Sequence, residues 1–391
     1  MKRRGLKKDA RKTILEQDLR NERNVIRKFW KSCSTSAAIN SRGVIMSFPQ
    51  SISFTVTNAC NLRCKMCGQW SKEGYMHARK KDLEQEMDLV DWKRLVDEVA
   101  AHGIDFILIR GGEAFLFPGM IELLEYINGK GIFTAIDTNG TMLKKYAADI
   151  VRIGNIHLTI SVDGPREIHD EVRGVSGCFD RIAEGVALLG ELEKDEGRQI
   201  SRSICFTISA YSYRGLGVMP DVARSLSINS IAIVPYYYFP QDVGREYERE
   251  LEENFDCLPF SWLGFCHASS GIDFGLFKTE YQKYLANLGD IHNYSYMAFS
   301  EDDYRVWFGG STTPVGPSHC TNVEKLIDIQ PSGSANFCVD FPDYSIGNVR
   351  EATIEDVWNS ERAARFREYR REKPLCVCHR CGAKYMSEMA D

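Results

Sequence analysis

Between residues 50 and 236 short apolar runs alternate with amphipathic stretches, and no other property of the chain restricts its fold as much. SISFTVT (51–57), DFILIR (105–110), IFTAIDT (132–138), IHLTISVD (156–163), SICFTIS (203–209) and SIAIVPYYY (230–238) read as buried strands. Between them LVDWKRLVDEVAAHG (89–103), GMIELLEYINGKG (119–131), MLKKYAADIVRIG (142–154), CFDRIAEGVALLGELEK (178–194) and LGVMPDVARSLS (216–227) carry helical periodicity. Several of these close on glycine or a polar residue, as helix ends do. Strands joined through helices pair in parallel with right-handed crossovers. The pattern predicts an α/β fold, a partial (β/α)6 TIM-like barrel, in which ligands bind at the C-terminal ends of the strands.

Residues 239–318 break the alternation. They are rich in Tyr, Phe and Trp, with helical stretches at 245–255 and 277–289, and read as an aromatic-rich connecting region that covers the pocket. Such an aromatic stripe is more often core than substrate cage. The remaining divisions are a core barrel at 50–238, a small cysteine-rich α+β module at 319–391 and a basic helical extension at 1–49. Residues 1–31 hold 12 Lys/Arg against 4 Asp/Glu, a net of +8, so the rest carries −13 toward the overall −5. Ile14, Leu15, Leu19, Val25 and Ile26 interrupt this arm. They favour a solvated helix on the outside of the domain over an arm reaching for phosphate or an acidic partner.

The overall charge gives no nucleic-acid or membrane signal. No apolar run reaches the ~18 residues that span a bilayer. The basic start is followed by polar residues and not by the apolar stretch of a signal peptide. The cytoplasm is therefore the expected compartment. Thirteen cysteines in a reducing compartment are better explained as metal or cluster ligands than as disulfides.

Three of them, in TNACNLRCKMCGQW (57–70), stand at C-x3-C-x2-C directly after the first predicted strand. Iron–sulfur clusters and structural zincs take four protein ligands, whereas a catalytic metal keeps one position open. Three thiolates on a four-iron cubane leave one iron for a small molecule. The competing readings are a zinc completed by a distant His such as His77, and free buried thiols; zinc loops favour C-x2-C pairs. Near the end Cys320, Cys338, Cys376, Cys378 and Cys381 form a second group, with Cys320-x12-Gly333-x4-Cys338 and a late C-x2-C. Zinc ribbons share such spacing.

The loop after strand one resembles the signature of the radical SAM superfamily. That resemblance covers residues 50–236. It implies a [4Fe–4S] cluster on Cys60, Cys64 and Cys67, with S-adenosylmethionine (SAM) chelating the fourth iron. It also implies reductive cleavage of SAM to a 5′-deoxyadenosyl radical that abstracts a substrate hydrogen. RGGEAFLFP, after strand two, is similar to the family's G-G-E-P motif, so Gly111, Gly112 and Glu113 are expected at SAM, Glu113 receiving its amino group. Ala114 replaces the proline. DTNG (137–140) contributes Asn139, and TISVDG (159–164) resembles the family's S-x-D-G segment, with Ser161 toward the ribose or carboxylate. Arg173 offers a planar fork for the carboxylate. Met66, where the family has an aromatic, would lie near adenine.

The C-terminal cysteines, with GNV and VWNS between them, are similar to the SPASM and Twitch extensions of that family. The full SPASM pattern has seven cysteines, and five here imply one auxiliary [4Fe–4S] cluster on Cys320, Cys338, Cys378 and Cys381. Cys376 is the spare and could replace Cys378. The function expected is a radical SAM oxidoreductase whose auxiliary cluster transfers electrons during oxidation of a small alcohol or carbohydrate-like substrate. The alternatives are a peptide-modifying maturase or crosslinking enzyme, a non-catalytic electron carrier and a zinc-stabilised scaffold. Asp163, Tyr236, Tyr237 and Cys266 are the catalytic candidates that could reach the barrel mouth. A small-molecule or peptide substrate and a low-potential reductant such as flavodoxin or ferredoxin are the expected partners; membrane and nucleic acid are not.

Overall fold

The strands have two chemically different faces, and that difference builds the molecule. In the computed structural model, which describes residues 47–295, 297, 299–310, 315–316 and 320–387, six strands pair in parallel in chain order. They are β1 (Ser51–Thr55), β2 (Phe106–Arg110), β3 (Phe133–Thr138), β4 (Ile156–Ser161), β5 (Ser201–Ile208) and β6 (Ser230–Pro235). The basic extension expected at 1–49 lies outside the described residues as far as residue 46.

Side chains alternate across a strand with period two. One set (Ile52, Phe54, Ile107, Ile109, Ile136, Leu158, Ile160, Ile204, Phe206, Ile231) joins the main apolar core with the outer helices. Helix α1 (Leu89–Ala101) shows how that layer forms. Asp88 caps it by accepting hydrogen bonds from the amides of Val90 and Asp91, and Trp92, Leu95, Val96 and Val99 bury one face. Trp92 meets Phe54 with ring centroids 4.9 Å apart.

The alternate set faces the barrel interior and is mostly small and polar: Ser53, Thr55, Asp137, His157, Ser161, Ser203 and Thr207, with Arg110 at the end of β2. Phe106, Phe133 and Ala135 depart from this pattern and pack together as a separate apolar cluster, with Leu108 against it. A TIM barrel interior is ordinarily filled by layers of bulky apolar residues. Here the inward positions leave a polar lumen. In it His157 meets the hydroxyls of Ser201 (2.8 Å) and Ser203 (2.9 Å), and burial lowers its pKa to about 4, which keeps the ring neutral. The strands expected to be buried are buried, but on two unlike sides.

The sheet runs past the six strands in both directions. β7 (His292–Asn293) extends β6, while β8 (Leu326–Ile329) pairs parallel with β1, Ile52 opposite Ile327. β9 (Ser334–Asn336) and β10 (Gly347–Asn348) then add antiparallel, giving a ten-stranded sheet that stays open as a partial barrel. The cysteine-rich module is thus continuous with the barrel, because LIDI supplies an apolar outer face (Ile327, Ile329) that joins the same core as β1.

Candidate active site

The loop after β1 is seated by glycines. Beyond β2, the amides of Gly112 and Glu113 donate to the carbonyls of Thr57 and Ala59, both at 2.8 Å. A Cβ on Gly111 would stand 2.5 Å from the Thr57 oxygen, and one on Gly112 2.3 Å from that of Ala59. Only glycine allows this approach. From the other side Glu86 accepts from the Thr57 hydroxyl and the Asn58 amide, each at 2.7 Å, and Trp70 Nε1 donates to the Asn58 carbonyl at 2.7 Å. The loop so held turns Cys60, Cys64 and Cys67 into one cavity of about 340 Å³ at the C-terminal ends of the strands.

Burial pushes the Cys60 thiol up to about 12, and the neighbouring Cys64 and Cys67 sulfurs add to the rise. Cys64 is raised as well, mainly by burial, against the pull of Arg173. Thiols raised in this way, Cys60 and Cys64, become thiolates readily only with a strong cation bound, which is the donor chemistry of an iron–sulfur site, and Cys67 lines the same cavity beside them.

Arg173 ends helix α2 (Arg166–Arg173), a segment outside the helical stretches read from the sequence. Its Nη1 lies 3.6 Å from Cys64 Sγ and its Nη2 2.5 Å from Asp163 Oδ2. Burial opposes the guanidinium charge, but Asp163 and Cys64 hold it protonated. Asp163 is itself 0% exposed and accepts from the Thr207 amide at 3.0 Å. It does not line the cavity, so its place as a catalytic candidate passes to that of a brace for Arg173.

Met66, Gly111, Gly112, Asn139, Ser161, Arg173, Tyr236 and Tyr237 do line the cavity. Glu113 does not. Its oxygens accept from the Thr138 hydroxyl (2.7 Å), the Asn139 amide (2.7 Å) and the Phe115 amide (3.2 Å). The carboxylate expected at the SAM amino group is turned inward and clamps the ends of β2 and β3 together. Cys266 is absent from the lining too: its segment bridges to Phe239 and presents Phe265 to the cavity instead. The Tyr236 hydroxyl is buried with no hydrogen-bond partner among the described residues, and burial raises its pKa.

Sequence reasoning missed the charged floor. Arg110 and Asp137 stand at the inward ends of β2 and β3, and Asp340 comes from the loop after Cys338; all three line the cavity. Arg110 lies 3.9 Å from Asp340. Burial works against its charge, and Asp340, Asp328 and Asp137 counter it. Burial likewise raises Asp137 and Asp340, offset by Arg110. The available signal was a charged residue ending an apolar strand, where barrel ligands bind.

In the C-terminal module Cys320, Cys338, Cys378 and Cys381 line a small void of about 30 Å³ together with Arg370 and Lys384. Burial pushes Cys320 up to about 11 and raises the other three. The spare is Cys376, whose Sγ lies 3.5 Å from the Val243 carbonyl and whose amide donates to Glu250 at 3.0 Å. Four thiols gathered around a small void fit a fully ligated cluster. Val339 and Asp340 line both the void and the larger cavity.

The radical SAM superfamily model matches residues 54–201, and the iron–sulfur cluster-binding domain SPASM matches 320–382. The chain is 25% identical to the Fe-coproporphyrin III synthase of Methanosarcina barkeri, over 83% of this chain and 77% of that protein. It is 22% identical to the antilisterial bacteriocin subtilosin biosynthesis protein AlbA of Bacillus subtilis, over 86% of this chain and 67% of that one. Its fold matches Streptococcus suis SuiB bound to precursor peptide SuiA with a TM-score of 0.55 at 17% identity, covering 81% of this chain and 66% of that chain. A three-cysteine loop set on glycines after strand one, a four-cysteine void joined to the same sheet, and matches to both family models at those places have one common explanation: the chain belongs to the radical SAM superfamily and carries a C-terminal SPASM iron–sulfur domain.

Proposed function

We propose that this radical SAM enzyme modifies a side chain of a peptide, with Cys60, Cys64 and Cys67 holding the SAM-binding [4Fe–4S] cluster and Cys320, Cys338, Cys378 and Cys381 holding one auxiliary cluster. When bound, the first cluster and SAM supply a 5′-deoxyadenosyl radical that removes a hydrogen atom from the substrate. The chain's own residues bind, orient and enclose. Arg173, kept cationic by Asp163, faces Cys64 and suits the SAM carboxylate. Asn139 and Ser161 offer hydrogen bonds from the ends of β3 and β4, and Met66, Trp70 and Phe265 give the cavity apolar walls that exclude water. Tyr236 adds an aromatic wall to the same space, with its hydroxyl buried.

The observation that carries the peptide reading is the charge of the cavity. Among the described lining residues the only basic groups are Arg110 and Arg173, and each already faces an aspartate. Asp137 adds one further acid at the floor, so Asp137, Asp163 and Asp340 outnumber the two arginines. A neutral or cationic side chain suits such a floor; a carboxylate-rich substrate meets repulsion there. The kinship with a bacteriocin biosynthesis protein, and a fold shared with a peptide-bound enzyme, agree with this reading. They point away from the small alcohol expected at first. A tetrapyrrole is the second reading, favoured by a synthase relative aligned over 83% of this chain.

Anaerobically reconstituted protein, given SAM and a flavodoxin- or ferredoxin-type reductant, should form 5′-deoxyadenosine. A candidate precursor peptide should raise that yield and emerge with a changed mass. Iron tetrapyrroles should leave the yield at its substrate-free level; a rise with one of them, and a changed mass of that compound, would replace the peptide reading.

A further inference from the structure

The two cysteine sites differ in the company they keep. Beside Cys64 the cation Arg173 is matched by Asp163 at 2.5 Å, so the pair adds little net charge. Around the C-terminal void the balance is different. Arg370 is 7% exposed, lines the void and acts electrostatically on Cys378, Cys338, Cys320 and Cys381. Its one hydrogen bond among the described residues goes to the Lys373 carbonyl at 2.9 Å. Lys384, 4% exposed, lines the same void and acts on Cys320 and Cys378.

Three acids also feel this site, and each has donors of its own. Asp340 faces Arg110. Asp343 accepts from the Tyr247 hydroxyl at 3.0 Å and from the amides of Phe260 and Ser261 at 2.8 and 2.9 Å. Glu250 accepts from the Tyr369 hydroxyl at 2.6 Å and the Cys376 amide at 3.0 Å, and meets Lys373 at 3.5 Å. The charge of Arg370 is thus directed at sulfur.

Four thiolates outweigh the charge of a cubane core, so the ligated cluster is an anion, and an added electron makes it more so. A buried cation stabilises the reduced form over the oxidised one, and the low dielectric strengthens the effect. We propose that Arg370, aided by Lys384, holds the reduction potential of the auxiliary cluster up and so makes the SPASM domain the place where an electron rests. This builds on the cluster assignment made under the proposed function. Arg370 is a positioning residue in this role: it touches neither substrate nor SAM.

The test is a spectroscopically monitored redox titration of full-length protein carrying Cys60→Ala, Cys64→Ala and Cys67→Ala, so that only the auxiliary cluster is read. Adding Arg370→Gln should shift the midpoint to lower potential with about four irons retained. Arg370→Lys, which keeps a cation, should stay near the parent. An unchanged or higher midpoint in Arg370→Gln overturns the inference, as does an equal fall in Arg370→Lys, which would assign the effect to packing. Should Arg370→Gln fail to hold its irons, Lys384→Gln is titrated in its place, and an unshifted midpoint there overturns the inference. A parent protein that takes up zinc and no iron sinks the cluster assignment itself, and the inference with it.

Discussion

Replacing Asp163 by Asn tests the electrostatic core of the proposed SAM site. Asp163 is fully buried, the Arg173 side chain is 9% exposed, and the two meet at 2.5 Å as a charge pair. Removing one partner strands the other charge in a low-dielectric interior, which destabilises by about 3–5 kcal/mol. At roughly 2–4 °C per kcal/mol for large domains, the melting temperature should fall by at least ~6 °C. The freed guanidinium should also turn away from Cys64 and weaken SAM binding. Thermal unfolding under anaerobic conditions reads the first effect and equilibrium dialysis with labelled SAM the second. The double variant Asp163→Asn/Arg173→Met removes both charges and should regain most of the stability while SAM binding stays weak. A single variant as stable as the parent, or a double variant no more stable than the single one, would refute the reasoning, since contacting partners must show coupling.

Three further outcomes are expected. Gly112→Ala drives a methyl group into the backbone oxygens of Ala59 and Asn58, 2.3 and 2.5 Å away, so iron analysis should show the first cluster lost and the auxiliary one retained. Cys378→Ser should remove about four irons of eight, whereas Cys376→Ser should remove none, because only Cys378 lines the void. Burial raises Asp328 from 3.8 to about 6, with Arg110 opposing the rise. The native state therefore binds the extra proton, and this contribution is full below the ordinary value and is lost as pH climbs through about 6. Between about pH 4 and 6.5 apoprotein stability should decline for this reason, by a total of about 3 kcal/mol, and level off above. Asp328→Asn should flatten that profile in pH-dependent thermal melts; an unchanged slope would assign the dependence elsewhere.

The barrel was legible because each of its six strands is a local signal: an apolar run long enough to be buried, flanked by amphipathic helices. The cysteine loop was legible because its spacing is short and its place after β1 is unambiguous. Pairing of β8 with β1 was not, since LIDI is four residues long and its partner lies 275 positions away (52 to 327). Arg173 was singled out, but the helix that aims it was not, because REIHDEVR is brief and polar. Arg110 and Asp137 sat inside stretches read simply as buried strands, and only the two-faced sheet shows that their parity points into the lumen. Glu113 was named from its motif, and its orientation was not legible. A motif specifies that a carboxylate is present, while the hydrogen bonds around it, drawn from Phe115, Thr138 and Asn139, decide which way it turns.

The pairing of β8 against β1 has a consequence for biosynthesis. Ser51–Thr55 leaves the ribosome early, and one whole side of it stays bare until Leu326–Ile329 has been made. During that interval the nascent barrel carries an unguarded edge, open to mispairing with other chains. Its closure must await translation of the segment that also delivers Cys320 and Cys338, so completion of the sheet and arrival of the second set of thiols become a single late event.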